Sequence, residues 1–183
     1  MEIHSQRETD GTYSVFAIIN NFLTKDEVAF YRSKLEEQKD WEKGILFGRS
    51  IPRVQKWYHD NKKYFSPHWK GQDHDRWKSH DHEDWMIILR NKVQAAVNSF
   101  FSSVIKIYHY HGCNIPTLNS TLINYYRNGN DIINHHRDDE TIFGDNPTIA
   151  MLTFGTKRAL EFQRIIYDPE NIRKIIQNPS ESY

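Results

Sequence analysis

With 183 residues, 38% of them hydrophobic and 26% charged, the chain is long enough for one folded domain and too apolar to be disordered. Its 24 basic and 24 acidic residues cancel, and zero net charge argues against a purely electrostatic nucleic-acid binder but not against a local basic groove. One cysteine, Cys113, excludes an internal disulfide, and without a signal peptide or a long apolar span we expect an intracellular, soluble protein of the nucleus or cytoplasm.

The N-terminal part of the chain predicts a strand followed by a helix. The first dozen residues are polar and predict a loose segment, whereas residues 13–19 are rich in β-branched and aromatic side chains and predict a strand. Thr24 and Glu27 have the spacing of a capping box, which predicts a helix that begins there and ends near Lys39.

The middle of the chain predicts a second helix, and the part after it predicts strands. Residues 56–83 are polar and predict a loop. Apolar side chains then recur at spacings of three and four, which predicts an amphipathic helix over about residues 84–101. Residues 119–164 predict a run of β-strands. Helices followed by consecutive strands are typical of an α+β domain in which helices back a sheet.

The strongest chemical signal is the pair His136 and Asp138. On an extended strand, residues two apart point to the same face, so the pair offers one imidazole and one carboxylate to a single metal ion. Two histidines and one carboxylate with open positions are the ligands of non-haem Fe(II) oxygenases. We therefore predict that His136 and Asp138 are metal ligands and catalytic residues. The adjacent His135 would face the opposite side and is the weaker candidate.

A polar pair precedes these metal ligands. Asn124 and Tyr126 share one face of the strand that begins at residue 121, which predicts a lined pocket or, alternatively, a solvated edge strand. Asn128-Gly129 has the composition of a tight hairpin turn with positive φ. Such a turn would fold the strand back on residues 131–136 and bring the metal ligands close to it.

A second group of histidines and acids is a rival metal site. Its spacings match no standard zinc pattern and no cysteine lies nearby, so we interpret it as a solvated loop. The group consists of His68, Asp73, His74, Asp75, His80, Asp81, His82 and Glu83.

Four stretches of the chain resemble the AlkB family of Fe(II)/2-oxoglutarate dioxygenases, in the branch that repairs alkylated DNA. The sequence LINYYRNGNDIINHHRDDE, residues 122–140, resembles the family core, and NPTIAMLTFGTKRALEF, residues 146–162, resembles the strands that follow it. The sequence LFGRSIPRVQ, residues 46–55, resembles the nucleotide-recognition region, and residues 64–66 lie where the family has an aromatic pocket segment. Together these stretches cover most of the chain from about residue 45.

The resemblance implies a fold and two cofactors. We expect a single domain over residues 1–183 with a double-stranded β-helix, or jelly-roll, core and N-terminal helices. A nucleotide-recognition lid would lie at about residues 45–83 and a partial core at residues 119–164. The metal would be Fe(II), and Asn124 and Tyr126 would bind the cosubstrate 2-oxoglutarate.

The resemblance also implies which side chains contact the substrate. An apolar wedge would help to flip the damaged base out of the stack, since chemistry on a base cannot occur within it. Other side chains would line the pocket, touch phosphate, hold the flipped base or position it at the mouth of the site. Phe47 as a core residue and Glu140 as part of a solvated turn remain alternatives. The implied residues are Phe47, Arg53, Gln55, Tyr64, Phe65, Asp139 and Glu140.

The function that the resemblance implies is oxidative demethylation of N-alkylated bases in DNA or RNA. The alkyl group is hydroxylated, and the product decomposes to formaldehyde and the repaired base. We expect alkylated DNA or RNA as the partner, no membrane association and a monomer. The alternatives are a non-catalytic nucleic-acid-binding remnant of the family and a 2-oxoglutarate oxygenase that acts on RNA or protein.

One part of the family pattern has no counterpart in this sequence. No histidine follows His136, and the last two arginines of the chain, Arg164 and Arg173, do not lie in the family's closing motif. We therefore expect a C-terminally truncated chain that lacks the closing strands and turns over 2-oxoglutarate poorly or not at all. The missing arginine matters because a bidentate contact between an arginine and a carboxylate of 2-oxoglutarate would be among the stronger polar interactions.

Overall fold

The computed structural model describes residues 1–7, 13–46, 49–60, 79–108, 115–136 and 148–162. Within these ranges the elements are β1 Glu2–Arg7, β2 Tyr13–Ile18, α1 Lys25–Glu37, β3 Ile45–Leu46, β4 Arg49–Ser50, β5 Val54–His59, β6 Ser79–His80, α2 Asp84–Tyr108 and β7 Ser120–Tyr125.

Helix α1 begins at the predicted capping box. The Thr24 hydroxyl accepts a hydrogen bond from the Glu27 amide over 3.2 Å, and the Glu27 carboxylate accepts one from the Thr24 amide over 2.8 Å. Two amides that the helix cannot pair internally are thereby satisfied. The prediction of this helix is confirmed, and it ends at Glu37, near the predicted end at Lys39.

Helix α2 begins where predicted and is longer than predicted. It spans Asp84–Tyr108, whereas its apolar stripe predicted an end near Phe101. The sequence has neither glycine nor proline over this range, so nothing local ends the helix earlier. Trp85 and Met86 at its start are buried.

The largest sheet has the strand order β6-β5-β7. Strand β5 pairs with β7 antiparallel from Val54↔Tyr125 to His59↔Ser120, and with β6 in parallel. All six residues of β5 are buried. The prediction of a loop over residues 56–83 is wrong for β5 and β6, because neighbours on both edges and both faces bury a segment whose own composition is polar.

The two N-terminal strands form an antiparallel hairpin. Its register runs from Glu2↔Ile18 to Arg7↔Tyr13. The predicted strand over residues 13–19 is confirmed, but the prediction that the first dozen residues are loose is wrong for β1. A polar segment becomes a strand here because β2 offers it a complete set of backbone partners.

The core lies between the two helices and one face of the central sheet. Its buried centre joins Tyr31 of α1, Tyr58 of β5, and Trp85 and Met86 of α2. Partly buried side chains surround this centre, namely Leu23, Leu35, Leu89, Ile123 and Phe154. The predicted α+β arrangement, with helices backing a sheet, is therefore confirmed for the described residues.

The predicted run of strands over residues 119–164 is found only as β7 in the part of the chain that the structure describes. After β7, side chains satisfy part of the backbone in place of a strand partner. The Asp131 carboxylate accepts a hydrogen bond from the Arg127 amide over 2.8 Å, and the Asn128 side chain accepts one from the Asn130 amide over 2.8 Å. Such local bonds compete with strand pairing.

The turn at Gly129 also differs from the predicted hairpin. Among the described glycines only Gly155 has a positive φ, of 90°, so Gly129 does not adopt the left-handed conformation that the predicted turn needs. The described residues 131–136 form no strand. The jelly-roll core is thus an expectation that rests on the family resemblance.

Candidate functional site

The predicted cosubstrate residue Asn124 lies beside the predicted substrate residue Arg53. Arg53 directly precedes β5, and Gln55 is the register partner of Asn124 in β7. The Arg53 Nε donates a hydrogen bond to Asn124 Oδ1 over 2.8 Å. The pairing of β5 with β7 therefore brings together residues that the sequence placed in a lid and in a core strand.

Arg53 is a cation in a partly desolvated position. Burial lowers its pKa, and the nearby Tyr126 acts in the opposite direction by favouring the charged form. Among the described residues no carboxylate forms an ion pair with Arg53. A desolvated guanidinium without a carboxylate partner favours the binding of an anion. Arg53, Asn124 and Tyr126 together form what we call the anion cluster.

Gln55 lies in the interior of the sheet below this cluster. It is 2% exposed, and its Nε2 has no hydrogen-bond partner among the described residues. A backbone bridge joins Gln55 to Glu42, and the Glu42 Oε2 is likewise buried without a partner there. A Cβ added to Gly44 would lie 2.6 Å from Ile51 Cδ1, so the end of the Ile51 side chain would have to shift, and 3.7 Å from Gln55 Nε2, which is an ordinary contact.

Arg158 contacts the other side of the anion cluster. Its guanidinium carbon lies 5.1 Å from the centre of the Tyr126 ring. Its Nη1 donates to the carbonyl oxygen of Asp131 over 2.6 Å and its Nη2 to that of Asn128 over 2.5 Å. Sequence reasoning did not identify Arg158 as a site residue, because no local pattern indicates that it folds onto a turn 27 residues earlier.

The predicted metal ligand His136 is exposed, and its ring is oriented by the backbone. Its Nδ1 lies 2.8 Å from the carbonyl oxygen of Asn134. Since a carbonyl only accepts, Nδ1 holds the proton, and Nε2 is the nitrogen that can bind a metal. The neighbouring His135 has its Nε2 3.6 Å from a carboxylate oxygen of Glu161.

Several predicted site residues lie outside the described residues, so their placement stays a prediction. They are Phe47, Tyr64, Phe65, Asp138, Asp139 and Glu140. Within the described ranges no three His, Cys, Asp or Glu side chains come together as a metal site. The ligand set of Fe(II) therefore rests on the sequence and the family.

The described part of the second histidine group is a structural network around Asp60. The His82 side chain is 1% exposed, with Nδ1 2.9 Å from Asp60 Oδ1 and Nε2 3.0 Å from Thr121 Oγ1. Arg90 donates to the other oxygen of Asp60 over 2.7 Å. The interpretation as a solvated loop is wrong for His82, because the central sheet and α2 enclose its ring.

Neither of the described helices combines the length and the apolar composition that crossing a bilayer requires.

Comparisons with known proteins identify the family. Residues 15–178 match the model of the 2OG-Fe(II) oxygenase superfamily. Over 48 residues, the chain is 46% identical to alpha-ketoglutarate-dependent dioxygenase alkB homolog 3 of Homo sapiens and 44% identical to the protein of that name from Mus musculus. Each of these two matches covers 26% of this chain and 17% of the relative. Over 120 residues it is 27% identical to the protein of that name from Bos taurus, covering 62% of this chain and 32% of the relative.

The matched segments span 17% to 32% of the length of these curated relatives. The family match itself extends over most of the chain, from residue 15 to residue 178. The chain therefore belongs to the 2OG-Fe(II) oxygenase superfamily, and its relatives within it are dioxygenases of the AlkB type.

Proposed function

We propose that this chain forms an Fe(II)/2-oxoglutarate site of AlkB type that oxidatively demethylates N-alkylated bases in DNA or RNA, and that it acts as a monomer. The observation that carries the proposal is the anion cluster. Two predicted cosubstrate residues, Asn124 and Tyr126, lie with a partly desolvated cation, Arg53, that has no acidic partner among the described residues.

The cluster has the donors that 2-oxoglutarate needs. The cosubstrate has two carboxylates and a keto oxygen, so it accepts hydrogen bonds and needs positive charge. Arg53 supplies the charge. Because Oδ1 of Asn124 accepts from Arg53, the amide nitrogen of Asn124 is the group left to donate to a ligand. Tyr126 contributes a phenolic donor.

His136 and Asp138 would supply one imidazole and one carboxylate ligand of Fe(II), and no histidine after His136 supplies the second imidazole. Fe(II) together with 2-oxoglutarate would supply the oxidation of the alkyl group by O₂. The contribution of the chain to this step is orientation. The carbonyl oxygen of Asn134 holds the proton on Nδ1 of His136, so that the imidazole presents Nε2 as a ligand.

Substrate contacts in the proposal come from residues of the lid and of the mouth of the site. Phe47, Tyr64 and Phe65 would hold the extruded base through apolar and stacking contacts. Asp139 and Glu140 would position it. A nucleobase is the favoured substrate because the resemblance covers the nucleotide-recognition region, residues 46–55, as well as the core.

The test first measures binding and then chemistry. Calorimetry with Mn(II) in place of Fe(II) should show that the wild-type chain binds 2-oxoglutarate, and that Arg53→Met weakens this binding. Succinate and formaldehyde should then be measured with Fe(II), O₂, 2-oxoglutarate and methylated single-stranded DNA or RNA. Product that is lost in His136→Ala and retained in His135→Ala supports the proposal. A wild-type chain that does not bind 2-oxoglutarate contradicts it.

A further inference from the structure

Arg158 lies on a segment that returns to the end of β7. Gly155, three residues earlier, has φ 90°, a conformation that glycine adopts without strain. The guanidinium then donates to two carbonyl oxygens of one turn, those of Asn128 and Asp131. Two donors in a planar fork bind such a pair of acceptors in one orientation.

The same guanidinium packs over the ring of Tyr126, 5.1 Å from the ring centre. This distance is within the range of a cation–π interaction. Tyr126 is the residue directly after β7, which ends at Tyr125, so no strand pairing holds its backbone. The orientation of the ring therefore depends on side-chain contacts.

We propose that Arg158 is a positioning residue for cosubstrate binding, which fixes the orientation of the Tyr126 ring and thereby of its hydroxyl. This inference rests on the proposed function, because it assigns Tyr126 to the cosubstrate site. Arg158 acts through Tyr126 and does not itself touch the cosubstrate. Arg158 packs on the Tyr126 ring, and Tyr126 favours the charged form of Arg53 by raising its pKa.

A purely structural role for Arg158 in the turn would predict a different result. Arg127 already stabilises this turn, since its Nε and Nη2 donate to the two carboxylate oxygens of Asp131 over 2.7 and 2.9 Å. Arg127 also holds the pKa of Asp131 down at about 2, chiefly through these hydrogen bonds. Arg127→Met is therefore the matched control, because it removes the other arginine of this turn without removing the guanidinium that packs over the Tyr126 ring.

The position of Tyr126 can be tested without any ligand. The chain is labelled with 3-fluorotyrosine, and Tyr126→Phe identifies the fluorine resonance of Tyr126. We expect Arg158→Met to shift or broaden this resonance, Arg158→Lys to change it less, and Arg127→Met to leave it near its wild-type position. An unchanged resonance in Arg158→Met, or an equal change in Arg127→Met, would overturn the proposal.

Titration with 2-oxoglutarate and Mn(II) then tests the consequence. Arg158→Met should weaken binding about five- to tenfold, in keeping with the loss of one cation–π contact, while Arg127→Met stays close to wild type. Binding that Arg158→Met leaves unchanged would also overturn the proposal. If the wild-type chain does not bind 2-oxoglutarate, the proposed function fails, and the ligand-free spectra still decide whether Arg158 positions Tyr126.

Discussion

Arg53 and Asn124 are joined by a hydrogen bond of 2.8 Å although 71 residues separate them in sequence. The bond links the residue before β5 to β7, and so connects the predicted nucleotide-recognition region to the predicted cosubstrate strand. Since the Arg53 Nε is used in this bond, the rest of its guanidinium can bind an anion. A change at either residue should therefore affect the binding of 2-oxoglutarate.

We expect Arg53→Met to weaken 2-oxoglutarate binding by about tenfold or more, because a charged hydrogen bond contributes roughly 1.5–3 kcal/mol. Asn124→Asp should weaken it as well, since the new carboxylate would pair with Arg53 and repel the cosubstrate. Calorimetric titration of each variant with 2-oxoglutarate in the presence of Mn(II) measures both effects. The control is Arg32→Met, which removes an exposed arginine that pairs with Glu36 on α1. Equal binding by Arg53→Met and Arg32→Met would refute the anion cluster.

Metal binding should depend on His136 and not on its neighbour. His136 has its Nδ1 bound to a backbone carbonyl, which leaves Nε2 as the ligand atom. Mn(II) binding, followed by electron paramagnetic resonance, should be weakened in His136→Ala and in Asp138→Ala and be close to wild type in His135→Ala. The reverse order for the two histidines would mean that the ligand was assigned to the wrong residue.

The stability of the fold should fall as the pH is lowered below about 6.5, because of His82. Burial, followed by the charge of Arg90, lowers its pKa from the ordinary value of 6.5, although Asp60 opposes this shift. Between pH 6.5 and the lowered pKa of His82, the folded state then binds fewer protons than the unfolded state. The contribution of His82 to the free energy of unfolding is therefore present above pH 6.5 and decreases as the pH falls through this window.

Urea denaturation at pH 7.5 and pH 5.5 measures this effect. We expect the wild-type chain to lose more stability between the two values than His82→Gln, in which the titrating ring is absent. The other polar groups around the ring are Asp60, Arg90, Thr121 and His59, and Asp60 stays charged because Arg90 lowers its pKa. A pH dependence that is the same in both proteins would show that His82 does not cause it.

Tyr58 should stabilise the core through its hydroxyl as well as its ring. The hydroxyl donates to Gln38 Oε1 over 2.9 Å, and burial, with smaller effects of Glu83 and Glu42, raises its pKa to about 12. Tyr58→Phe should lower the free energy of unfolding by about 1 kcal/mol, because it leaves a partner unpaired. Tyr125→Phe is the control, at a residue that is 48% exposed, and should have little effect. Urea denaturation measures both.

Local patterns predicted those parts of the fold that depend on neighbouring residues. The capping box at Thr24 and Glu27 and the apolar stripe that begins at Trp85 both produced helices where expected. Strand β1 was not predicted because its residues are mostly polar. Most of β5 was not predicted because it lies at the start of a long polar stretch, residues 56–83, whose composition indicates a loop. Of the candidate site, the sequence predicted Arg53, Asn124 and Tyr126, but it assigned Arg53 to a different role from the other two and did not identify Arg158.

The sequence by itself determined the start of α1, the apolar face of α2 and the family to which the chain belongs, because spacing and residue type along a continuous segment are sufficient for each. Only the tertiary structure decided that Arg53 lies against Asn124 and that Arg158 packs on Tyr126. Both contacts depend on the register of β5 with β7 and on the path of the chain after Gly155. Register is a property of two paired segments, and neither segment encodes it alone.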